Sequence, residues 1–133
     1  DFVGSGGSFA GCTAAFKEHR ASIQCYVVEP AGAAVLAGES ITNANHRVQG
    51  GGYARPELPL LNREQIDGFL KVTDEEATLA ARRLAREEGI FAGYSSGANV
   101  AAALHLLRTT CRGKTIAVLI CDSGLKYLST DLW

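Results

Sequence analysis

The sequence predicts an α/β fold, an open three-layer αβα arrangement around a largely parallel sheet. Three observations point to it. Apolar, β-branched runs alternate with helical periodicities along the chain. Turns of small residues at 4–8 and 95–97 each lead from an extended stretch into a helical pattern. Residues 115–121 form an unbroken apolar run, the pattern of a parallel strand covered on both faces.

In order, the chain opens on a strand-like stub, Phe2-Val3, followed by Gly4-Ser5-Gly6-Gly7-Ser8 and then by Phe9, Cys12, Thr13 and Phe16 at helical spacing. Glycines let a backbone approach a ligand, and the first amides of a helix have no internal partner, so this turn suits a phosphate. A flexible linker or a plain strand-to-helix turn fits the same residues. Lys17-Glu18-His19-Arg20 places mostly positive charge at the helix C-terminus, where the dipole favours it. Residues 23–28 read as a buried strand closed by Glu29-Pro30, which completes half of a βαβ unit. Residues 31–37 suit a short helix and 39–47 a polar loop. His46 in that loop has no ligand cluster around it and reads as solvated or capping. A second glycine cluster follows, Gln49-Gly50-Gly51-Gly52-Tyr53. Pro56 and Pro59 then exclude a central strand. Phe69-Leu70-Lys71-Val72 is a short strand, and Thr73-Asp74-Glu75-Glu76 is a capping box. The helix it starts turns Ala77, Ala80, Ala81 and Leu84 to one face and ends at Gly89. A helix over 98–107 follows Ser95-Ser96-Gly97, in which either serine suits an N-cap. Asp122-Ser123-Gly124 lies at the carboxyl end of the 115–121 strand, where α/β sheets place ligands.

With 47% hydrophobic residues, 20% charged and a formal net charge of -1, the chain has no excess that would draw nucleic acid or an anionic membrane. Its 15 glycines cluster, which marks loops with special backbone needs. Cys12, Cys25, Cys111 and Cys121 show no C-x-x-C spacing. They read as buried free thiols of a cytoplasmic protein, with no disulfide framework and no metal. No apolar run is long enough to span a bilayer. The chain starts without Met on what reads as the end of a strand and stops at Trp133 without a cap. The expectation is therefore a segment of a longer protein, incomplete at both ends.

No Ser/His/Asp arrangement with a nucleophile elbow is visible, and the first loop lacks the lysine of a nucleoside triphosphatase. A nicotinamide dinucleotide domain finds a candidate ribose acid in Glu29, but Phe9 occupies the place of the last glycine in G-x-G-x-x-G. Collinear motifs favour another reading. Gly4-Ser5-Gly6-Gly7-Ser8, Val28-Glu29-Pro30 and Gln49-Gly50-Gly51-Gly52-Tyr53 are followed by Arg82-Arg83-Leu84 through Glu87-Glu88-Gly89-Ile90 to Gly93-Tyr94-Ser95-Ser96-Gly97-Ala98. The last motif is Asp122-Ser123-Gly124-Leu125-Lys126-Tyr127-Leu128-Ser129-Thr130. Together they resemble the C-terminal portion of the cysteine synthase and cystathionine β-synthase family, fold-type II enzymes that use pyridoxal phosphate in a tryptophan synthase β-like fold.

The resemblance implies roles. Gly4, Ser5, Gly6, Gly7 and Ser8 would hold the phosphate of pyridoxal 5'-phosphate, and Ser95 would face its ring nitrogen. Gly50, Gly51, Gly52 and Tyr53 would face the amino-acid substrate, Tyr53 in the manner of the cystathionine β-synthase variant. The implied reaction is β-elimination or β-replacement on an O-activated serine or serine, with sulfide or a thiol as nucleophile, in a cytoplasmic homodimer. Ala54-Arg55-Pro56-Glu57-Leu58-Pro59 replaces the family's F-I-P, Lys126 its usual arginine and Cys121 a frequent proline. No S-x-K-D-R-like motif is present, so residues 1–133 would hold the C-terminal part of the catalytic fold without its Schiff-base lysine. They would contain no catalytic residue and be inactive alone, needing the N-terminal half as partner. A binding or assembly module that keeps the fold without the chemistry is the alternative.

Overall fold

The computed structural model describes all residues, 1–133. Its frame is a parallel sheet in which β1 (Tyr26–Pro30) pairs with β2 (Gly68–Val72), Tyr26 opposite Gly68 and Pro30 opposite Val72. Phe2 extends it on the other side through a parallel bridge to Val28, so the spatial order runs from the Phe2 stub through β1 to β2. Alternation along the strands sorts side chains between two cores. Val27 and Phe69 pack with Phe9 of α1 (Gly7–His19) on one face. Val28, Leu70 and Val72 pack with Ala77, Ala81, Ala98 and Ala102 of α2 (Asp74–Glu88) and α3 (Tyr94–Arg108) on the other. This is the expected αβα layering.

The local signals of α2 hold to the residue. Thr73 Oγ1 accepts from the Glu76 amide and the Glu76 carboxylate accepts from the Thr73 amide. Gly89 ends the helix at φ 70°. Helix α3 departs from expectation. It begins at Tyr94, its N-cap is Gly93 and no side chain caps it, so Ser95 and Ser96 lie inside its first turn. A Cβ at Gly93 would drive into Tyr127 and Asp122, and this reserves the cap for glycine. At Gly97 an added Cβ would strike the Ala77 carbonyl and come within 2.9 Å of Ala81 Cβ, so α2 and α3 cross backbone to backbone there.

Three further expectations are corrected. Residues 115–121 form no strand and join no ladder, and Leu119 and Ile120 are 39% and 40% exposed, not covered on both faces. Side chains of α3 hold the segment instead: the Asn99 amide donates to the Leu119 carbonyl at 2.9 Å, and Ser96 Oγ accepts from the Cys121 amide at 2.9 Å. Residues 31–37 form turns, not a helix, because Glu29 at the end of β1 accepts from the Leu36 and Ala37 amides at 2.8 and 2.9 Å and folds the chain back on itself. Of the four free cysteines only Cys25 is buried; Cys12 and Cys121 are exposed and Cys111 is intermediate. No helix is long and apolar enough to cross a membrane.

Helix α1 is tied to the sheet by Asp67, which accepts from Lys17 Nζ and from the Cys25 amide, both at 2.7 Å. The Lys17 hydrogen bond, with help from the Cys25 amide and against the cost of desolvation, holds the Asp67 carboxyl below the usual carboxylate range. A carboxyl lowered on folding stabilises the fold above its unfolded pKa, and that share is lost as pH falls through the lower folded value. Asp67→Asn is accordingly expected to flatten the acid limb of the stability profile below about pH 4, read by urea denaturation at successive pH values; a limb as steep as that of the unsubstituted chain would refute the assignment. Gly97→Ala is expected to cost about 1–3 kcal/mol from overpacking at the α2–α3 crossing, measured by the same denaturation at neutral pH.

Candidate functional site

A cavity of about 470 Å³ opens beside the Phe2-Val3 stub, between the first glycine loop, the start of α3 and residues 119–127. The loop is built from behind. The Leu60 amide donates to the Ser5 carbonyl at 3.1 Å, and a Cβ at Gly6 would meet the backbone of Leu61 at 2.9–3.0 Å. Gly6 takes φ 89°, in the left-handed region, to cap α1 without a side-chain hydrogen bond. The Gly7 amide is weakly engaged by Ser5 Oγ at 3.5 Å, and the Ala10 amide closes the first turn on the Gly6 carbonyl. No hydrogen bond takes the amides of Ser8 and Phe9. Two free donors at the positive end of a helix dipole, beside the cavity, form an anion cup.

Gly4, Ser5, Gly6, Gly7 and Ser8 all line this cavity, and so does Ser95, which is 6% exposed and whose hydroxyl has no partner in the protein. The paired serines thus differ: Ser96 is spent on the Cys121 amide, while Ser95 stands unpartnered in the cavity lining. Of the second loop only Gly50 reaches the cavity wall, beside Gln49. Gly51 lies against the Val3 backbone and the Phe2 ring, Gly52 packs against Pro30 and His46, and Tyr53 is 57% exposed outside the lining.

The opposite wall was less legible. Cys121, Asp122, Lys126 and Tyr127 line the cavity, although Cys121 and Lys126 stand at variant family positions that favour a structural reading. Asp122 Oδ2 accepts from the Tyr127 hydroxyl at 2.7 Å and from Lys126 Nζ at 3.1 Å, and Asp122 Oδ1 is buried without a partner. Burial, and then the Asp122 carboxylate, raise the Tyr127 phenol far above its ordinary value, so it stays a donor at any physiological pH. The signal that marks this wall in the sequence is the Asp122-Ser123-Gly124 turn after the apolar run.

The residues fit pyridoxal phosphate. The cup has free amides for a dianion, and the deep end has an unpartnered neutral hydroxyl at Ser95 suited to a ring nitrogen. Glu29, the acid on which a dinucleotide reading rests, is 3% exposed and engaged with the Leu36 and Ala37 amides. Desolvation raises its pKa against the pull of those two hydrogen bonds. It is a structural residue.

Comparison with known proteins agrees. A probable cysteine synthase of Bacillus subtilis is 40% identical over 132 residues, covering 98% of this chain and 41% of the relative. The crystal structure of a cysteine synthase from Entamoeba histolytica superposes with a TM-score of 0.89 at 32% identity, covering 98% of this chain and 38% of that one. A hydrogen sulfide-producing enzyme from Fusobacterium nucleatum superposes with a TM-score of 0.86 at 36% identity, covering 95% and 42%. The chain spans about two-fifths of the length of these relatives. The family described as "Pyridoxal-phosphate dependent enzyme" matches residues 2–122, and the chain belongs to it.

Proposed function

We propose that residues 1–133 are the C-terminal, cofactor-cradling part of a pyridoxal-phosphate-dependent enzyme of sulfur amino acid metabolism, of the cysteine synthase type. The enzyme would exchange or remove the β-substituent of a serine-derived amino acid, with sulfide or a thiol as the nucleophile. The observation that carries the reading is one cavity holding both the free Ser8 and Phe9 amides and the unpartnered Ser95 hydroxyl. The relatives' names support the reaction class. One is a probable cysteine synthase, and another is a hydrogen sulfide-producing enzyme. The proposal includes a cytoplasmic homodimer and an N-terminal portion of the same fold that carries the Schiff-base lysine.

When bound, pyridoxal phosphate acts as the electron sink that makes the substrate's Cα proton and β-substituent labile. The chain's own residues would anchor and orient it. The amides of Ser8 and Phe9, with Ser5 and Ser8 hydroxyls nearby, would take the phosphate. The Ser95 hydroxyl would donate to the ring nitrogen without holding a proton there as a carboxylate does. Gly50 would present backbone rather than a side chain to the amino acid. A neutral partner at the ring suits a reaction in which departure of the β-substituent relieves charge at Cα.

Titration of the cofactor-free full-length protein that contains residues 1–133 with pyridoxal phosphate, followed by calorimetry, is expected to show one saturable site per chain. Ser8→Pro deletes one free amide at a first-turn position where the helix does not use it, and is expected to weaken binding about tenfold or more, the loss of one charge-assisted hydrogen bond. Unaltered affinity in that variant, or no saturable binding in the parent, would overturn the phosphate assignment. The serine pair gives a separate check by denaturation. Ser96→Ala strands the Cys121 amide and is expected to cost about 1–3 kcal/mol, whereas Ser95→Ala removes a hydroxyl without a protein partner and is expected to stay within about 0.5 kcal/mol. Equal losses in the two variants would contradict the division of roles.

A further inference from the structure

The second glycine loop is held by a side chain that none of the motifs above assigns. Gly52 takes φ 65°, and the residue is held through the peptides on both sides of its Cα. Its amide donates to the Val3 carbonyl at 3.1 Å, one residue before the phosphate loop begins. Its carbonyl accepts from His46 Nε2 at 2.8 Å. The space beside its Cα is filled: a Cβ there would lie 2.6 Å from Pro30 Cγ and 2.8 Å from His46 Nε2. The imidazole is itself fixed. Its ring stands edge-on to Phe2, centroids 6.3 Å apart at 70°, and Phe2 is the residue that bridges to Val28. The next two residues are anchored, Arg47 through its amide to Asp74 Oδ1 at 2.9 Å and Val48 by burial in the core.

We propose that His46 is a positioning residue for the Gly50–Gly52 loop and, through the Gly52–Val3 hydrogen bond, for the phosphate loop. It works as a fixed donor: the N–H at Nε2 sets the direction of the Gly52 carbonyl, which leaves Gly52 N–H aimed at Val3 and Gly50 at the cavity wall. The two glycine loops then hold one geometry before any ligand arrives. That preorganisation spares a ligand the cost of ordering them. The role for substrate rests on the reading above that this loop faces the amino acid; the positioning itself does not.

The test compares the cofactor-free full-length protein that contains residues 1–133 with its His46→Leu variant, which keeps bulk and loses the donor, and its His46→Gln variant, which returns an amide N–H. Amide hydrogen exchange is followed by NMR at Gly50 and Gly52, with α2 amides as internal reference, and each protein is titrated with pyridoxal phosphate. His46→Leu is expected to speed Gly52 exchange about fivefold or more relative to α2, because releasing the Gly52 carbonyl loosens the Gly52–Val3 hydrogen bond by about 1 kcal/mol, and to weaken pyridoxal phosphate binding in parallel. His46→Gln is expected to restore both to within about twofold of the parent. Gly52 exchange in His46→Leu equal to the parent's, or as fast in His46→Gln as in His46→Leu, overturns the proposal. Should His46→Leu fail to fold, the glutamine variant decides alone, slow exchange supporting the role and fast exchange refuting it. A parent chain that binds no pyridoxal phosphate, yet whose Gly52 exchange responds to His46 as expected, would sink the functional reading and leave the positioning intact.

Discussion

Everything at the cavity depends on one close approach, the backbone of Val3-Gly4 against the backbone of Gly50–Gly52. The contact admits no side chains: a Cβ at Gly4 would land on the Gly50 carbonyl and one at Gly51 on the Val3 carbonyl. Glycine is required there for proximity, not for flexibility. The Gly52 amide locks the contact onto Val3, and Val3 is itself buried at 4% exposure, so the first glycine loop leaves the sheet from a fixed point. Two loops separated by more than forty residues become two walls of one site.

The deep end is organised by the first turn of α3 acting as a distribution point for hydrogen bonds. Gly93 lets the helix begin against Tyr127, Ser95 faces the cavity, Ser96 takes the Cys121 amide and Asn99 takes the Leu119 carbonyl. Buried polar groups must find partners, and here two of them, Ser96 and Asn99, bind a segment that lacks a strand neighbour. That arrangement places Asp122 and Tyr127 opposite the anion cup. Their mutual hydrogen bond keeps a carboxylate and a phenol together in a partly buried wall without exposing either as a free charge.

The contrast between α2 and the 115–121 segment shows what kind of information each needs. Helix α2 is capped by groups three residues apart and ended by Gly89 in the left-handed region. Both interactions lie within one turn, so the residues alone determine them. The apolar run at 115–121 has strand composition, but a strand is defined by a neighbour, and within this chain its donors and acceptors go to α3 side chains. The same distinction separates the serines. Both Ser95 and Ser96 suit an N-cap by type, and only the crossing of α3 over residues 119–121 decides which is occupied.

By itself the sequence determined the α/β class, the layering implied by alternating strands and helices, the α2 caps, and the glycine loop at 4–8 as an anion site or turn. Those features follow from local periodicity and backbone chemistry. It also carried the collinear motifs of a pyridoxal-phosphate family, now matched across residues 2–122. Tertiary structure alone decided that Glu29 serves the Leu36 and Ala37 amides, that His46 holds Gly52, that Gly50 lines the cavity where Tyr53 does not, and that Cys121, Lys126 and Tyr127 join Asp122 in its far wall. Each of those depends on which groups remain unpartnered after the layers pack, a property of the whole fold that no stretch of residues contains.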